Sequence, residues 1–332
     1  MLVRPQDLET APSVNVPPKV GPSFVSRLYG SGGAAIIGAL GASIVFAVST
    51  PVFLSPANLL NISRQTSVVA LISIGMTLVI ITGGIDLSVG SVVGLSGTVA
   101  AAAITQFHLN PFYGALFGLA VGAVVGSING ALISFLRVPA IISTLALLSI
   151  ARGIALQATN GRPISGLTTS FSFLGRGEIL AVPAAFILTV ILYLVGSLVL
   201  RFAVLGKHIV GIGGNEEAAR LVGIKVKTYR LAIYAVTGLI SGFAGLVLMS
   251  RLGSGQPTAG AGLELSSIAA VVLGGTRITG GQGTLIGTFF GALLITILGN
   301  GLDLMNVGSF YQLIFVGVVL LAAVIISRLT ER

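Results

Sequence analysis

The sequence predicts an all-α membrane protein, a polytopic bundle of about ten transmembrane helices. Hydrophobic residues make up 54% of the 332 residues and charged residues only 8%, and the mean hydropathy is +1.04. A soluble protein of this length needs far more charge to cover its surface. Apolar stretches of membrane-spanning length recur from residue 34 to residue 327, which leaves room for about ten spans of ~20 residues each.

A short pattern that contains an acidic residue occurs twice, 178 positions apart. One copy begins Gly84-Ile85-Asp86-Leu87-Ser88 and the other Gly262-Leu263-Glu264-Leu265-Ser266, and six of fourteen positions are identical. A carboxylate at the centre of a membrane helix costs about 2.5–3.5 kcal/mol on insertion scales. The repetition therefore predicts two related halves around a polar pathway. Five helices per half is an odd number, so the halves would form an inverted 5+5 repeat.

Ten helices are predicted in chain order within a transmembrane domain of residues 34–328. Their ranges are 34–54, 63–82, 87–106, 112–136, 139–158, 183–202, 229–250, 264–276, 283–299 and 310–328. The eighth is too short to span a bilayer if it is straight and isolated. The proline-rich residues 1–33 predict a flexible cytoplasmic tail, and residues 329–332 a cytoplasmic C-terminus.

The basic residues predict the orientation of the chain. Thirteen of the 18 Lys and Arg residues lie in the two terminal segments with the adjoining Arg328, in the loop 203–230 with its flanking Arg201, and at Arg137 and Arg277. Because cytoplasmic loops carry an excess of Lys and Arg, these places are predicted to be cytoplasmic, and with them both termini.

Two interpretations of Asp86 and Glu264 stay open. Each lies at the start of a helical run, where a carboxylate can satisfy free backbone N–H groups. At membrane depth, the same carboxylates can line a polar pathway or relay protons. Four serines near them can line that pathway or bond back to their own helices. They are Ser88, Ser91, Ser266 and Ser267.

Two rows of glycine predict close helix packing. Glycine recurs at every fourth residue in each row, which lets helix backbones approach where lipid offers no hydrophobic drive for association. The rows are Gly114, Gly118, Gly122, Gly126 and Gly130, and Gly283, Gly287 and Gly291.

The loop 203–230 is predicted to contain a short helix that a cytoplasmic partner binds. Asn215 is a good N-cap, Glu216 and Glu217 suit the positive end of the helix dipole, and Gly223 ends the helix. Between them lie Ala218, Ala219 and Arg220. The alternative is an ordinary solvated loop.

The loop 159–182 is the longest polar loop predicted to face outward. It contains Asn160-Gly161-Arg162 near its start, and we interpret the loop as a surface for an external partner. The alternative is a lid that packs over the bundle.

Several chemical functions are excluded by composition. The chain has no cysteine and only His108 and His208 as histidines, so neither a metal site nor a cysteine or histidine catalytic centre is indicated. It has no Gly-x4-Gly-Lys-Ser/Thr phosphate loop. We therefore predict that the chain is not an enzyme and binds no cofactor of its own.

Several segments resemble the permease subunits of ribose-type bacterial sugar importers, which are ATP-binding-cassette transporters. The resemblance covers about residues 55–328. The segments that carry it are Gly83–Ser91, Gly214–Glu216, Gly223-Ile224, Gln256–Gly260, Ala269–Thr276, Gly280–Thr284 and Ser309–Gln312.

The resemblance implies a multi-pass protein of the bacterial inner membrane that forms the path for a monosaccharide, a ribose-like pentose or a related sugar. It implies a dimer of permeases, either identical or paralogous, with ATP bound by a cytoplasmic ATPase on separate chains. It also implies an external sugar-binding protein, periplasmic or lipid-anchored. The segment Asn215–Gly223 would then be the helix that couples to the ATPase, and no nucleic acid would be involved.

Two other functions remain open at this point. The first is an ion-coupled secondary transporter that uses Asp86 or Glu264 as its ion-carrying carboxylate. The second is a membrane scaffold that transports nothing. The first explains the repeat but gives the loop 203–230 no purpose, and the second does not explain two carboxylates in apolar surroundings.

Overall fold

The structure, a computed structural model, describes residues 32–167 and 169–330. The predicted tail falls almost wholly outside these residues, as does the end of the predicted C-terminal segment. Within them the chain forms thirteen helices and two small antiparallel sheets. The helices are α1 Gly33–Ser49, α2 Pro56–Ile81, α3 Val89–Thr105, α4 Pro111–Ser134, α5 Ala140–Thr159, α6 Thr169–Arg176, α7 Ala184–Phe202, α8 Val204–Gly214, α9 Glu216–Leu221, α10 Val226–Leu252, α11 Leu263–Leu273, α12 Leu285–Leu304 and α13 Ser309–Thr330. The strands are β1 Ile164–Ser165, β2 Glu178–Ile179, β3 Val182–Pro183 and β4 Ser254–Gly255.

Six helices in the described part of the chain are long and apolar enough to cross a membrane, namely α2, α4, α5, α7, α10 and α12. Four further apolar helices are shorter: α1, α3, α11 and the first part of α13, Ser309–Ile325. The prediction of a mainly helical, multi-pass protein is confirmed. That all ten predicted helices cross the bilayer, and that they form an inverted repeat, stay predictions.

Short polar residues begin several of the long helices. Ser55 accepts a hydrogen bond from the backbone N–H of Asn58 at 3.3 Å, with Pro56 in the first turn. Asn110 caps α4 and Thr284 caps α12 in the same way, at 2.9 and 3.1 Å. Proline suits the first helical turn, where its missing N–H would have no partner. This explains why α2 begins at residue 56 and not at the predicted residue 63.

Two long helices, α2 and α10, lie at the centre of the bundle and pack against each other. Helix α10 also packs on α3 and α4, while α2 packs on α11 and α12. Helices α5 and α13 lie further out, against α3 and α11 respectively. The core is built from small and β-branched side chains, and Val79, Ile80 and Ile81 near the end of α2 are fully buried.

The glycine row of α4 forms a packing surface, as the sequence predicts. At the crossing with α10, a Cβ on Gly126 would meet the backbone of Tyr234 and Gly238, and one on Gly122 would meet Gly238 and Gly242. No residue other than glycine fits this backbone-to-backbone contact without a shift of the helices. The remaining members of the row contact α3 or α10. They are Gly114, Gly118 and Gly130.

The second glycine row packs α12 against α11. Gly287 lies against the backbone of Gly274, and Gly291 lies against the backbone of Ala270. The two helices therefore approach as closely as α4 and α10 do. Helix α11 ends at Leu273, three residues before the predicted end, because the chain turns at Gly274 and Gly275.

The predicted outward loop 159–182 is more structured than the sequence indicates. Strand β1 pairs with β4, and α6 packs on α10. Ser250 of α10 donates to the carbonyl of Phe171 at 2.6 Å and accepts from the N–H of Gly175 at 2.8 Å. These contacts agree with the interpretation of the loop as a lid that packs over the bundle.

Candidate transport pathway and cytoplasmic loop

The turn between α2 and α3 holds Asp86 in a fully enclosed position. Asp86 is 1% exposed, and its Oδ1 atom accepts hydrogen bonds from the backbone N–H of Ser88 at 2.9 Å and from the Ser88 hydroxyl at 2.6 Å. The turn itself depends on Gly83, which has a φ of +80°. The bonded N–H belongs to Ser88, the residue before α3, and not to the first turn of the helix, so capping of α3 by Asp86 stays a prediction. The role of Asp86 in a pathway also stays a prediction.

A chain of buried hydrogen bonds extends from this turn into α4 and α5. The amide of Asn129 donates to the Ser88 hydroxyl at 2.9 Å, and Ser143 donates to the amide oxygen of Asn129 at 2.8 Å. The network holds the turn against two other helices, and each bond lies within the protein. Sequence reasoning missed Asn129 and Ser143. Asn129 could have been found from the sequence, because it is an amide side chain within an apolar helix.

Glu264 occupies a different setting from Asp86. It lies within the first turn of α11, whereas Asp86 precedes α3. Its Oε1 atom accepts from the N–H of Gly262 at 3.2 Å. Its Oε2 atom is buried, has no hydrogen-bond partner among the described residues, and lies where a Cβ on Gly90 of α3 would be. The structure thus places the second acidic residue directly against the helix that follows the first.

Arg152 of α5 anchors the segment that leads into α11. Its guanidinium donates to the carbonyl of Pro257 at 2.7 Å and to that of Ala259 at 3.0 Å. The same two carbonyls lie against Gly94 of α3, and Arg152 and Glu264 attract each other electrostatically. Arg152 was not among the predicted site residues. The sequence does mark Arg152, because an arginine within an apolar helix is unusual.

Three of the four predicted serines donate to a backbone carbonyl three or four residues earlier, whereas Ser88 donates to the side chain of Asp86. Ser91 donates to the carbonyl of Ser88 at 2.8 Å, and Ser267 donates to that of Glu264 at 2.9 Å. Ser266 donates to the carbonyl of Gly262 at 3.2 Å. These bonds agree with the back-bonding interpretation. A role of the hydroxyls towards a substrate stays a prediction.

The loop 203–230 contains the helix that the sequence predicts, α9, and also α8, which the sequence did not predict. Asn215 caps α9, because its side chain accepts from the N–H of Ala218 at 2.9 Å. Gly223, with a φ of +88°, ends the turn. Of the residues between them, Ala219 is buried against α8 and α10, whereas Glu217 is exposed.

Glu216 connects α9 to the first turn of α10. Its two carboxylate oxygens accept from Arg220 of α9 and Arg230 of α10, each at 2.8 Å. The hydrogen bond from Arg230 is the largest of the effects that hold the pKa of Glu216 below its usual value of 4.5. Leu221 and Val222 follow with 84% and 77% of their surfaces exposed. Helix α9 is thus attached to α10 through Glu216, and the apolar side chains of Leu221 and Val222 are exposed at its C-terminal end.

A cavity of about 550 Å³ lies between α9 and the ends of α4 and α10. It reaches the turn after α2 at Gly83 and Gly84 and opens beside the loop 203–230. The remaining lining residues are Ile133, Ser134, Arg137, Val138, Ala140, Glu216, Arg220, Lys227, Arg230 and Tyr234.

The predicted external residues lie at the end of α5. Asn160 has a φ of +50° and ends the helix, and Gly161 follows with a φ of +71°. Both are exposed, as is Arg162. They are therefore accessible to a partner, whereas Phe171 and Gly175 further along the same loop bond to α10.

Comparison with known proteins identifies the family. Residues 58–324 match the family described as "Branched-chain amino acid transport system / permease component". The chain is 45% identical to the ribose import permease protein RbsC of Bacillus subtilis (strain 168), over 86% of this chain and 89% of that protein. It is 43% identical to the protein of the same name from Escherichia coli (strain K12), over 86% and 90%. It is 33% identical to the L-arabinose ABC transporter permease protein AraH of Azospirillum brasilense, over 98% and 96%. No solved structure matches the chain significantly. Since the family covers most of the chain, this protein belongs to that family of transport-system permease components.

Proposed function

We propose that the chain is the membrane-spanning permease subunit of an ATP-binding-cassette importer for a monosaccharide, a ribose-like pentose or a related sugar. The observation that carries the proposal is the 45% identity, over 86% of the chain, to a protein named as a ribose import permease. The relative named for L-arabinose is less similar, at 33%. The chain would form the path, and ATP hydrolysis would take place on a separate subunit.

The contact with the ATPase is proposed to be made by α9. Its outward side combines the charge of Glu217 with the exposed side chains of Leu221 and Val222. Two adjacent exposed apolar residues at the end of a polar helix suit a groove in a protein partner. The ion pair between Glu216 and Arg230 joins α9 to α10, so motion imposed on α9 would reach the bundle.

The ten spans and the inverted repeat are likewise proposed, and the packing supports them. Each of the two central helices packs against helices of the other half. Helix α10 of the second half packs on α3 and α4, and α2 of the first half packs on α11 and α12. Such reciprocal packing of each central helix on the other half is what an inverted repeat would produce.

The pathway is proposed to pass near the first turns of α3 and α11. Glu264 supports this, since its unpaired Oε2 atom faces α3 and offers an acceptor for a hydroxylated substrate. The external sugar-binding protein is proposed to contact the loop 159–182, where Asn160, Gly161 and Arg162 are exposed. A second permease copy and cytoplasmic termini complete the assembly that we propose.

Purification of the tagged chain from its native membrane tests the proposed ATPase contact. We expect a phosphate-loop ATPase to accompany the wild type and to be lost with Glu217→Arg and with Leu221→Asp. Lys225→Gln is the matched control, because Lys225 is an exposed charge in the same loop outside α9. Loss of the ATPase in the control as well would show that the loop binds through its charge alone.

Uptake of radiolabelled ribose tests the sugar and the energy source. We expect uptake in cells that carry the wild type, none with Glu217→Arg, and no dependence on a proton gradient. Uptake that follows the proton gradient, with no ATPase in the purified sample, would replace this proposal by the ion-coupled transporter. Normal assembly with no uptake of any sugar in the wild type would support a scaffold.

A further inference from the structure

The cavity beneath α9 has a strongly positive lining. The described residues that line the cavity include four cationic side chains and one carboxylate, which gives the lining a formal net charge of +3. The carboxylate, Glu216, is already paired with Arg220 and Arg230. Arg137 and Lys227 have no ion-pair partner in the described part of the chain, and both are exposed to water. Positive charge is therefore available at the open side of the cavity.

The buried side of the cavity carries two unsatisfied hydroxyl groups. Tyr234 is 1% exposed and Ser134 is 3% exposed, and neither hydroxyl has a hydrogen-bond partner among the described residues. The Tyr234 hydroxyl lies against Gly84, where the chain turns out of α2. A buried polar group without a hydrogen-bond partner is unfavourable, because it has lost its bonds to water. Two such groups in one cavity indicate a ligand that hydrogen-bonds to both.

The shape and size of the cavity decide what kind of ligand fits. About 550 Å³ is within the range of pockets that hold small molecules. Arginine and lysine bind phosphate well, and the guanidinium of arginine can bind it through two parallel hydrogen bonds. Hydroxyl donors at the buried end and cations at the open end thus suit an anion with several acceptor oxygens.

We propose that this cavity binds a phosphate-bearing small molecule from the cytoplasmic side, with Arg137, Lys227 and Arg220 holding the phosphate and Ser134 and Tyr234 bonding to its oxygens or to hydroxyls of the ligand. The site is separate from the proposed path at Glu264. Binding requires neither the ATPase nor a transported sugar, so the proposal stands or falls independently of the proposed function.

Arg220 and Glu216 lie on α9, so the ligand would contact the same helix that we propose as the ATPase contact. Glu216 and Arg220 of α9 line the cavity. Leu221 and Val222 do not line it and are exposed. An anion drawn between Arg220 and Arg137 would fix α9 against the bundle. This consequence for transport rests on the proposed function, whereas binding itself does not.

The test uses the purified full-length chain in phosphatidylcholine nanodiscs, in a buffer free of inorganic phosphate and at constant ionic strength. Ribose 5-phosphate, inorganic phosphate and ribose are titrated in turn by isothermal calorimetry. We expect saturable binding of ribose 5-phosphate, weaker binding of inorganic phosphate and none of ribose. The Arg137→Gln/Lys227→Gln double variant should weaken ribose 5-phosphate binding tenfold or more, and Tyr234→Phe about threefold.

Lys225→Gln is the control variant, because it removes a charge from the same loop without altering the cavity lining. Equal weakening by Lys225→Gln would overturn the proposal in favour of general attraction to a basic surface. Equal binding of ribose and ribose 5-phosphate would also overturn it. Since Arg137 and Lys227 are exposed, their substitution should leave the thermal unfolding profile unchanged, which is checked on the same samples.

The phosphate can come from a soluble molecule or from a lipid headgroup. Nanodiscs of phosphatidylglycerol separate these sources, because a bound headgroup would compete with ribose 5-phosphate and would be retained in native mass spectra. Retention by the wild type and loss in the Arg137→Gln/Lys227→Gln variant would assign the site to a lipid. No saturable binding of either soluble probe and no retained lipid would overturn the proposal.

Discussion

Asn58 of α2 and Asn300 of α12 form a reciprocal pair of hydrogen bonds in the interior of the bundle. Asn58 donates to the Oδ1 atom of Asn300 at 3.0 Å, and Asn300 donates back at 2.9 Å. Both side chains are buried, at 7% and 1% exposure. Further along the same two helices, Thr77 and Thr288 share a hydrogen bond of 2.9 Å. Together these contacts fix the register of α2 against α12, because an apolar contact alone allows neighbouring registers.

We predict that the Asn58–Asn300 pair couples the two helices energetically. Asn300→Leu should destabilise the protein by about 1–3 kcal/mol, since it removes the donor to the buried Oδ1 atom of Asn58. The double variant Asn58→Leu/Asn300→Leu should be destabilised by less than the sum of the two single destabilisations, and the difference should be about 0.5–2 kcal/mol. Unfolding in mixed micelles, followed by circular dichroism, measures all four proteins. Strict additivity would show that the pair contributes nothing beyond its separate contacts.

The crossing of α4 and α10 should tolerate no side chain at its closest point. A Cβ on Gly126 would meet the backbone of α10, so Gly126→Ala should destabilise the protein by about 1–3 kcal/mol. Gly299→Ala is the matched control, because nothing lies within 4 Å of a Cβ at Gly299. That change should be neutral or stabilising by up to about 1 kcal/mol. The same unfolding measurement compares them, and equal losses would contradict the packing argument.

The two acidic residues should respond differently to loss of charge. Asp86→Asn keeps the acceptor that Ser88 requires, so assembly and ribose uptake should change little. Glu264→Gln should also assemble, since its oxygen can still accept from Gly262, but we expect uptake to fall tenfold or more. Uptake is measured in cells at matched amounts of protein in the membrane. Unchanged uptake with Glu264→Gln would leave Glu264 a purely structural role.

The attachment of α9 should weaken in acid. The pKa of Glu216 is lower in the folded protein than its usual 4.5, chiefly because of the hydrogen bond from Arg230. The stabilisation that the ionised Glu216 gives to the folded loop is therefore complete above pH 4.5. It is lost as the pH falls through the lowered pKa of Glu216. Because the carboxylate is partly exposed, the effect is modest. Limited proteolysis of the loop 203–230 should rise over this range in the wild type. Glu216→Gln should be cleaved readily at all pH values, and a wild type cleaved equally at pH 6 and in acid would contradict the argument.

The helices were largely predictable because the bilayer imposes a simple rule. A chain that crosses lipid must satisfy its backbone within helices, so long apolar segments identify them. Each of the ten predicted ranges corresponds to a helix of the structure. The largest difference at a helix start, at α2, arises because residues 56–62 include polar side chains and the cap at Ser55 depends on local geometry. Helices α6 and α8 were missed, since they lie outside the apolar segments.

The candidate site was predictable in part. Sequence alone marked Asp86 and Glu264 as unusual, because acidic residues within apolar segments are costly. It also predicted α9, since capping by Asn215 depends on residues that lie next to one another in the chain. It did not find Arg152 or the hydrogen bonds from Asn129 to the Asp86 turn. Those contacts join residues more than 40 positions apart, and a sequence pattern carries no information on which helices meet.

The sequence by itself determined that this is a helical membrane protein with two similar acidic segments, a capped helix in the loop 203–230 and glycine rows suited to close packing. These properties follow from local chemistry and from the solvent, which act on each segment separately. Only the tertiary structure decided that Oδ1 of Asp86 accepts two hydrogen bonds while Oε2 of Glu264 has no hydrogen-bond partner among the described residues. It also decided that four cations surround one cavity together with two hydroxyls that lack such a partner. The reason is physical: burial and pairing depend on which helices touch, and helix packing in lipid is set by many small contacts between distant residues.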